Sequence, residues 1–153
     1  MAEFLTDPRM HRRLIDSFYM EAMLLADEAR SYFDEGGRAE REALSPMDRV
    51  AFSCESLKVT TRLMHVIAWL LTQRAVIAGE LTLGQALQEQ RRLGSAPVSE
   101  TAVLDTLPGQ ARGMILASID LHRRVARLDE AQEMQAPMVS PARTMLDRLA
   151  TSF

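Results

Sequence analysis

The residue types that most often carry chemistry are sparse in this chain of 153 residues. In a helical protein, a di-iron carboxylate centre requires Glu-x-x-His pairs that point into the bundle. No glutamate stands three positions before any histidine, and no two histidines lie within helical reach of each other, so neither a di-iron centre nor a local zinc site is predicted. The histidines are His11, His65 and His122.

The single cysteine, Cys54, offers no catalytic pair either. It shares a predicted helix with His65, but at about 1.5 Å per residue the two lie about 16 Å apart, too far for a thiolate and an imidazole to interact. Cys54 falls on an apolar row of that helix and is predicted to be a small buried core residue. The sequence also lacks a GxSxG motif, a phosphate-binding glycine loop and a Rossmann fingerprint. We therefore predict a protein that is not an enzyme and that binds no cofactor or metal.

The sequence also indicates the cellular compartment of the protein. A lone thiol fits a reducing compartment, and the opening residues MAEFLTDPRMHRR do not resemble a signal peptide. The longest apolar run, residues 66–71, is far shorter than the roughly 20 residues of a membrane span. These features predict a cytoplasmic protein without a membrane contact.

Nucleic acid is not an expected partner. The chain has 21 acidic and 18 basic residues, a formal net charge of -3, and no basic block. The nearest approach to a basic stripe, Arg123, Arg124 and Arg127, is surrounded by carboxylates. Because phosphate binding depends on concentrated positive charge, a solvated and compensated helix face is the favoured interpretation.

Helix-capping residues and apolar spacing indicate three long helices. Asp7-Pro8 and Ser45-Pro46 each combine a capping side chain with a proline at the first helical position. The first helix is predicted over about 8–35, before Gly36-Gly37, and the second over about 46–78. The third is predicted over about 107–133.

Two shorter elements are expected around these helices. Thr82 can cap a short helix over 83–93. The last stretch, 134–153, is interrupted by Pro137 and Pro141, and we expect a mobile tail with a short amphipathic helix over 143–149 that Ser140 can cap. The predicted fold class is all-α: one domain over 1–133, an elongated antiparallel three-helix bundle with a short extra helix between helices two and three.

The second helix carries two apolar rows. One row alternates spacings of three and four residues, as a heptad seam does, and is predicted to face the core. The other row lies on a neighbouring face, so this helix should be covered on two sides. The seam consists of Met47, Val50, Cys54, Leu57, Thr61, Met64, Ala68, Leu71, Ala75 and Ala78. From the second row, Leu63, Val66 and Leu70 are predicted to form or support a dimer interface.

His65 and Trp69 lie four residues apart on the second helix, and their surroundings leave two interpretations open. They either fill a packed corner between helices, where the ring nitrogens find partners, or form a docking patch, since tryptophan and arginine often anchor interfaces. The candidate partner-binding residues are Tyr32, Phe33, Arg62, His65, Trp69 and Gln73.

Three phrases of the sequence resemble the alphaproteobacterial RcdA family, the regulators of CtrA degradation. They are SFYMEAMLLADEARSYFD at 17–34, SCESLKVTTRLMHVIAWLLTQRAVIAGE at 53–80 and LHRRVARLDE at 121–130. The resemblance implies a three-helix bundle that self-associates as a homodimer. It also implies a non-enzymatic proteolytic adaptor that links cell-cycle regulatory cargo proteins to the ClpXP protease, which a response regulator primes. The residues alone leave two alternatives: a helical interaction scaffold or dimerisation module without a protease, and a DNA-associated regulator.

Overall fold

Helices make up most of residues 7–135 and 141–152, the part of the chain that the computed structural model describes. In chain order they are α1 (Pro8–Ser31), α2 (Arg38–Glu42), α3 (Pro46–Ile77), α4 (Leu83–Ala86), α5 (Thr101–Leu104), α6 (Gly109–Gln135) and α7 (Pro141–Thr151). A π-helical turn (Tyr32–Gly36) continues α1, and a 3₁₀ turn (Glu89–Arg91) follows α4. The described residues contain no strand, so the predicted all-α class is confirmed.

The predicted helix starts are set by local capping. The side chain of Asp7 accepts the backbone N–H of Arg9 at 3.0 Å, and that of Ser45 accepts the N–H of Asp48 at 3.2 Å. Thr82 forms a reciprocal capping box with Gln85, in which each side chain accepts a backbone N–H of the other residue. These bonds satisfy N–H groups that have no partner within the helix.

The segment between α3 and α6, residues 78–108, which we call the connector, is less helical than expected. The helix predicted over 83–93 ends at Ala86, because Gln88 adopts an extended conformation before the 3₁₀ turn. The short α5 then precedes α6. The connector is therefore mostly irregular, and its backbone polar groups need partners from the helices beside it.

Helices α1 and α3 are antiparallel. Near the start of α1, Asp16 pairs with Arg74 of α3 at 3.2 Å. Beyond the other end of α1, the rings of Phe33 and Phe52 lie 5.2 Å apart, close to the start of α3. This pairing agrees with the prediction.

Helices α3 and α6, in contrast, run in the same direction. Arg62 contacts Ser118, and eleven residues further along α3 the side chain of Gln73 contacts that of Gln132. The prediction of an antiparallel bundle is therefore correct for α1 but wrong for the pair α3 and α6. The physical reason is the connector, which returns along the bundle and brings α6 back to the starting end of α3.

The predicted core row of α3 is also wrong. Met47, Val50, Leu57, Met64 and Leu71, together with Cys54, are exposed on the side of the helix that faces away from the bundle. The row that packs inside mixes apolar with polar side chains: Phe52, Glu55, Val59, Arg62, Leu63, Val66, Trp69, Leu70 and Gln73. The core is completed by residues of α1 and α6 such as Ile15, Phe18, Ile115, Leu121 and Val125.

The end of the chain is helical, as predicted, and α7 is longer than the expected 143–149. The predicted Ser140 cap and Pro137 lie outside the described residues, and the predicted mobility of the tail stays a prediction. Among the helices of residues 7–135 and 141–152, none is long and apolar enough to cross a membrane.

Candidate functional site

The guanidinium group of Arg62 lies between α3, α6 and the connector. This residue is only 1 % exposed. It donates hydrogen bonds to the carbonyl oxygen of Pro97 at 2.9 Å, to the hydroxyl of Ser99 at 2.6 Å and to the hydroxyl of Ser118 at 3.3 Å. Burial lowers the pKa of Arg62, and the nearby carboxylate of Glu55 opposes that shift. Arg62 therefore binds the protein's own connector.

Glu55 completes this polar cluster. Its carboxylate accepts the hydroxyl of Ser99 at 2.5 Å and pairs with the ammonium group of Lys58 at 2.9 Å. Lys58 also donates to the carbonyl oxygen of Val98 at 2.8 Å. Each charge in the cluster thus has a partner, as buried charges require. The Ser99 hydroxyl is held by a carboxylate and a guanidinium without an imidazole, so this arrangement fixes the connector rather than activating a nucleophile.

A second contact with the connector involves Trp69, which shares a hydrogen-bond partner with Arg92. Its indole N–H donates to the carboxylate of Asp129 on α6 at 2.9 Å. Arg92 of the connector forms two hydrogen bonds of 2.8 Å with the same carboxylate and one of 2.9 Å with Glu133. The hydrogen bonds to Asp129 and Glu133 raise the pKa of Arg92. Of the two interpretations of Trp69, the structure matches the packed interhelical corner.

His65 and His122 hold the middle of the connector at Gly94. The Nε2 atom of His122 lies 3.0 Å from the carbonyl oxygen of Gly94, and because a carbonyl only accepts, Nε2 carries the hydrogen. A methyl group on Gly94 would lie 3.1 Å from the ring of His65, so the connector backbone approaches that ring closely. Burial lowers the pKa of His122.

The last of the predicted residues on α3, Gln73, accepts a hydrogen bond of 2.6 Å from the side chain of Gln132 inside the bundle. Gln73 and Arg62 are buried, and so is Trp69. These three side chains therefore present almost no surface to another molecule. His65 is half-buried and keeps part of its surface.

The aromatic pair at the end of α1 divides between core and surface. Tyr32 is buried, and its hydroxyl donates to Glu40 of α2 at 2.5 Å. Burial and the Glu40 carboxylate raise the pKa of Tyr32. Phe33 is half-buried, packs edge-on against Phe52 and lines an open groove between α1 and α3.

This α1–α3 groove has a volume of about 360 Å³. Small residues of α1 and apolar residues of α3 form most of its lining, and Arg30 and Asp34 stand at its edge. The apolar lining residues include Ala26, Ala29, Phe33, Leu57, Leu63, Met64 and Ile67. Grooves of this kind between helices are suited to receive the apolar face of another helix.

The three residues predicted at a dimer interface are in the core of the single chain. Leu63 is 3 % exposed, and Val66 and Leu70 are fully buried. They pack inside the bundle and are unavailable to a second copy. The exposed apolar surface of α3 is instead the row Val50, Leu57, Met64 and Leu71, which we call the outer stripe. Its members are spaced by seven residues, the period of a coiled-coil seam.

Sequence reasoning missed most partners of the connector. The partners lie far in sequence from the α3 residues Arg62 and Trp69, and no local spacing links them. They are Ser99, Ser118 and Asp129, together with Arg92, which binds Asp129. Only the pair Glu55 and Lys58, three residues apart on one helix, carries a readable signal. Within residues 7–135 and 141–152 no cluster of three or more histidine, cysteine or acidic side chains is arranged to hold a metal ion.

Comparison with known proteins relates the chain to a protein family and to a solved structure. The family model described as a protein of unknown function, DUF1465, matches residues 6–153. The crystal structure of RcdA from Caulobacter crescentus CB15 is similar with a TM-score of 0.64 at 34 % sequence identity, over 78 % of this chain and 90 % of that one. No curated protein sequence matches the chain.

Proposed function

The chain belongs to the RcdA family, DUF1465, and from this membership we propose that it is a non-enzymatic adaptor for regulated proteolysis. In this role it links cell-cycle regulatory cargo proteins to the ClpXP protease, which a response regulator primes. The observation that carries the proposal is the similarity to RcdA in both sequence and fold over most of the two chains. The resemblance to this family implies the adaptor role.

The use of the polar side chains supports a binding role over a catalytic one. Arg62, Glu55 and Asp129 are neutralised by partners within the chain and hold the connector against α3 and α6. A catalytic site needs polar groups that converge on an open pocket. The α1–α3 groove is lined mainly by apolar residues, which suits a protein segment better than a reacting small molecule.

The outer stripe supports self-association. Soluble monomers rarely leave large contiguous apolar patches uncovered, and here the uncovered residues repeat at the heptad period along α3. A two-fold dimer places the same surface of both copies in contact. We propose Val50 and Leu71, the two residues of the outer stripe that do not line the α1–α3 groove, as the homodimer contact, in place of Leu63, Val66 and Leu70.

Among the residues predicted to bind partners, two remain available for that role. Phe33 lines the α1–α3 groove, and His65 is half-buried beside the connector. We propose that Phe33 contributes to partner contacts through the groove. Arg62 acts indirectly, because it holds the connector in place, and Trp69 does so through Asp129, which also binds Arg92 of the connector. Gln73 joins α3 to α6 through Gln132.

The adaptor role is tested by affinity capture of the tagged protein from the native host, with and without a ClpX variant that binds substrates but does not unfold them. The adaptor predicts that ClpX and a set of further proteins are captured together, and that deletion of the adaptor gene lengthens the half-lives of those proteins. Capture of partners whose half-lives do not change would support the helical scaffold instead. Strongly salt-dependent retention on DNA would support the DNA-associated regulator.

A further inference from the structure

The C-terminal helix α7 carries an apolar stripe that the structure leaves uncovered. Met145, Leu146 and Leu149 are all exposed. At 100° per residue these three positions fall within an arc of about 100°, the width of the apolar stripe of a helix that packs against a surface. An isolated helix of 11 residues is marginal in water, so α7 needs a contact to be stable.

We propose that α7 binds in the α1–α3 groove of its own chain, where it competes with partner segments that contact Phe33. The groove offers the complementary surface, since its small floor residues Ala26 and Ala29 allow a helix backbone to approach closely and its walls, which include Met64 and Ile67, are apolar. Methionine is adaptable and is common in grooves that bind helices.

Charge at the rim of the groove also fits α7. Asp34 lines the groove and has no ion-pair partner among the described residues. Arg148 of α7, which lies beside the apolar stripe, has no ion-pair partner in the same part of the chain. With α7 in the groove, these opposite charges would belong to one interface.

The length of chain before α7 permits this contact within one molecule. Gln135 ends α6 close to the level of Ile77 on α3, because Gln132 contacts Gln73. Ile67, at the near end of the groove, lies about 15 Å from Ile77 toward the start of α3. The chain from Gln135 to Pro141 spans up to about 20 Å, and α7 itself is about 16 Å long. The helix can therefore reach the groove from Ile67 toward Leu57.

Hydrogen exchange in the full-length protein tests this contact. We expect the backbone amides of 141–151 to exchange at least about tenfold more slowly than in an unfolded chain, at a rate independent of protein concentration. Met64→Asp, which places a charge in the groove, should abolish this protection. Leu116→Asp is the matched control, since Leu116 is 50 % and Met64 is 63 % exposed, but Leu116 lies on α6 outside the groove and the outer stripe.

Three results would overturn the proposal. Unprotected amides in the unaltered protein would show that α7 does not dock, and equal protection in both variants would place its contact elsewhere. Protection that disappears on dilution would make a second copy the occupant. None of these results bears on the adaptor role, because that role is tested separately by the identity of the captured partners and by their half-lives.

Discussion

The indole nitrogen of Trp69 and the carboxylate of Asp129 lie 2.9 Å apart, although 60 residues separate them in the chain. The same carboxylate binds Arg92, so one acidic side chain of α6 joins α3 to the connector. A carboxylate shared in this way links three segments in one contact, which makes Asp129 and Trp69 sensitive probes of how the bundle is held together.

Replacement of Trp69 by phenylalanine removes the indole donor while an aromatic ring remains in the core. We expect the free energy of unfolding to fall by about 2 kcal/mol, because a hydrogen bond to a buried charged group is lost. Urea unfolding followed by circular dichroism measures this change, since Trp69 is the only tryptophan. As a control, Arg123→Ala breaks the exposed pair with Asp120 and should cost less than about 1 kcal/mol. Equal effects of the two changes would contradict the role given to Trp69.

Replacement of Arg62 by methionine tests the polar cluster under the connector. We expect a loss of about 3 kcal/mol or more, because Pro97, Ser99 and the buried Glu55 lose their guanidinium partner. The control is Arg74→Met, which breaks a half-exposed pair with Asp16 and should cost about 1 kcal/mol or less. If Glu55→Gln and Arg62→Met act independently in the double variant, the proposed coupling between them does not exist.

The stability of the protein should fall in mild acid through His122. Burial lowers the folded-state pKa of His122 below its ordinary value of 6.5; the hydrogen bond to Gly94 partly opposes this shift, and the charges of His65 and Arg62 add to it. As the pH falls through 6.5, the unfolded chain therefore binds a proton before the folded protein does, and the free energy of unfolding decreases. This decrease is complete once the pH is below the folded-state pKa of His122. We expect His122→Gln to flatten the dependence of unfolding free energy on pH between about 7.5 and about 5.5.

A residual pH dependence in that variant is expected from His11, because burial lowers its pKa as well. The comparison of His122→Gln with His11→Gln separates the two contributions. A pH profile of His122→Gln that superimposes on that of the unaltered protein would show that the burial of His122 does not oppose its protonation.

The proposed homodimer should dissociate when a charge is placed on the outer stripe. We expect Val50→Asp to reduce the mass measured by light scattering from that of two chains to that of one, because a buried unpaired carboxylate opposes association. Leu116→Asp is the control, since Leu116 is an exposed apolar residue on α6 away from the stripe. A folded Val50→Asp variant with an unchanged dimer mass would exclude the outer stripe as the contact.

Much of the helical organisation could be predicted because its signals are local. The starts of α1 and α3 depend on Asp7 and Ser45, whose side chains bond to backbone groups two or three residues away. The inner face of α3 could not be predicted in the same way. Its buried row contains Arg62, Glu55 and Gln73, and a pattern based on apolar spacing assigns such residues to the surface.

The candidate site was predictable only in its residue types. Trp69, Arg62 and Gln73 stood out as unusual neighbours, but their partners come from the connector and α6. Whether a polar side chain is buried or exposed depends on these partners, because a buried charge is tolerated only when it is paired. The sequence thus left a packed corner and an interaction patch open for Trp69, and the structure has the internal contact.

By itself, the sequence determined the all-α class, the extents of the three long helices and the membership of the RcdA family, since caps, periodicity and recognisable phrases are properties of neighbouring residues. Only the tertiary structure decided which face of α3 is inside and that α3 and α6 are parallel. The connector accounts for both features. Its Ser99 accepts a hydrogen bond from Arg62, and its Arg92 binds Asp129, the residue that also binds Trp69. With the polar row satisfied inside, the apolar heptad row remains outside, available for contacts with other proteins.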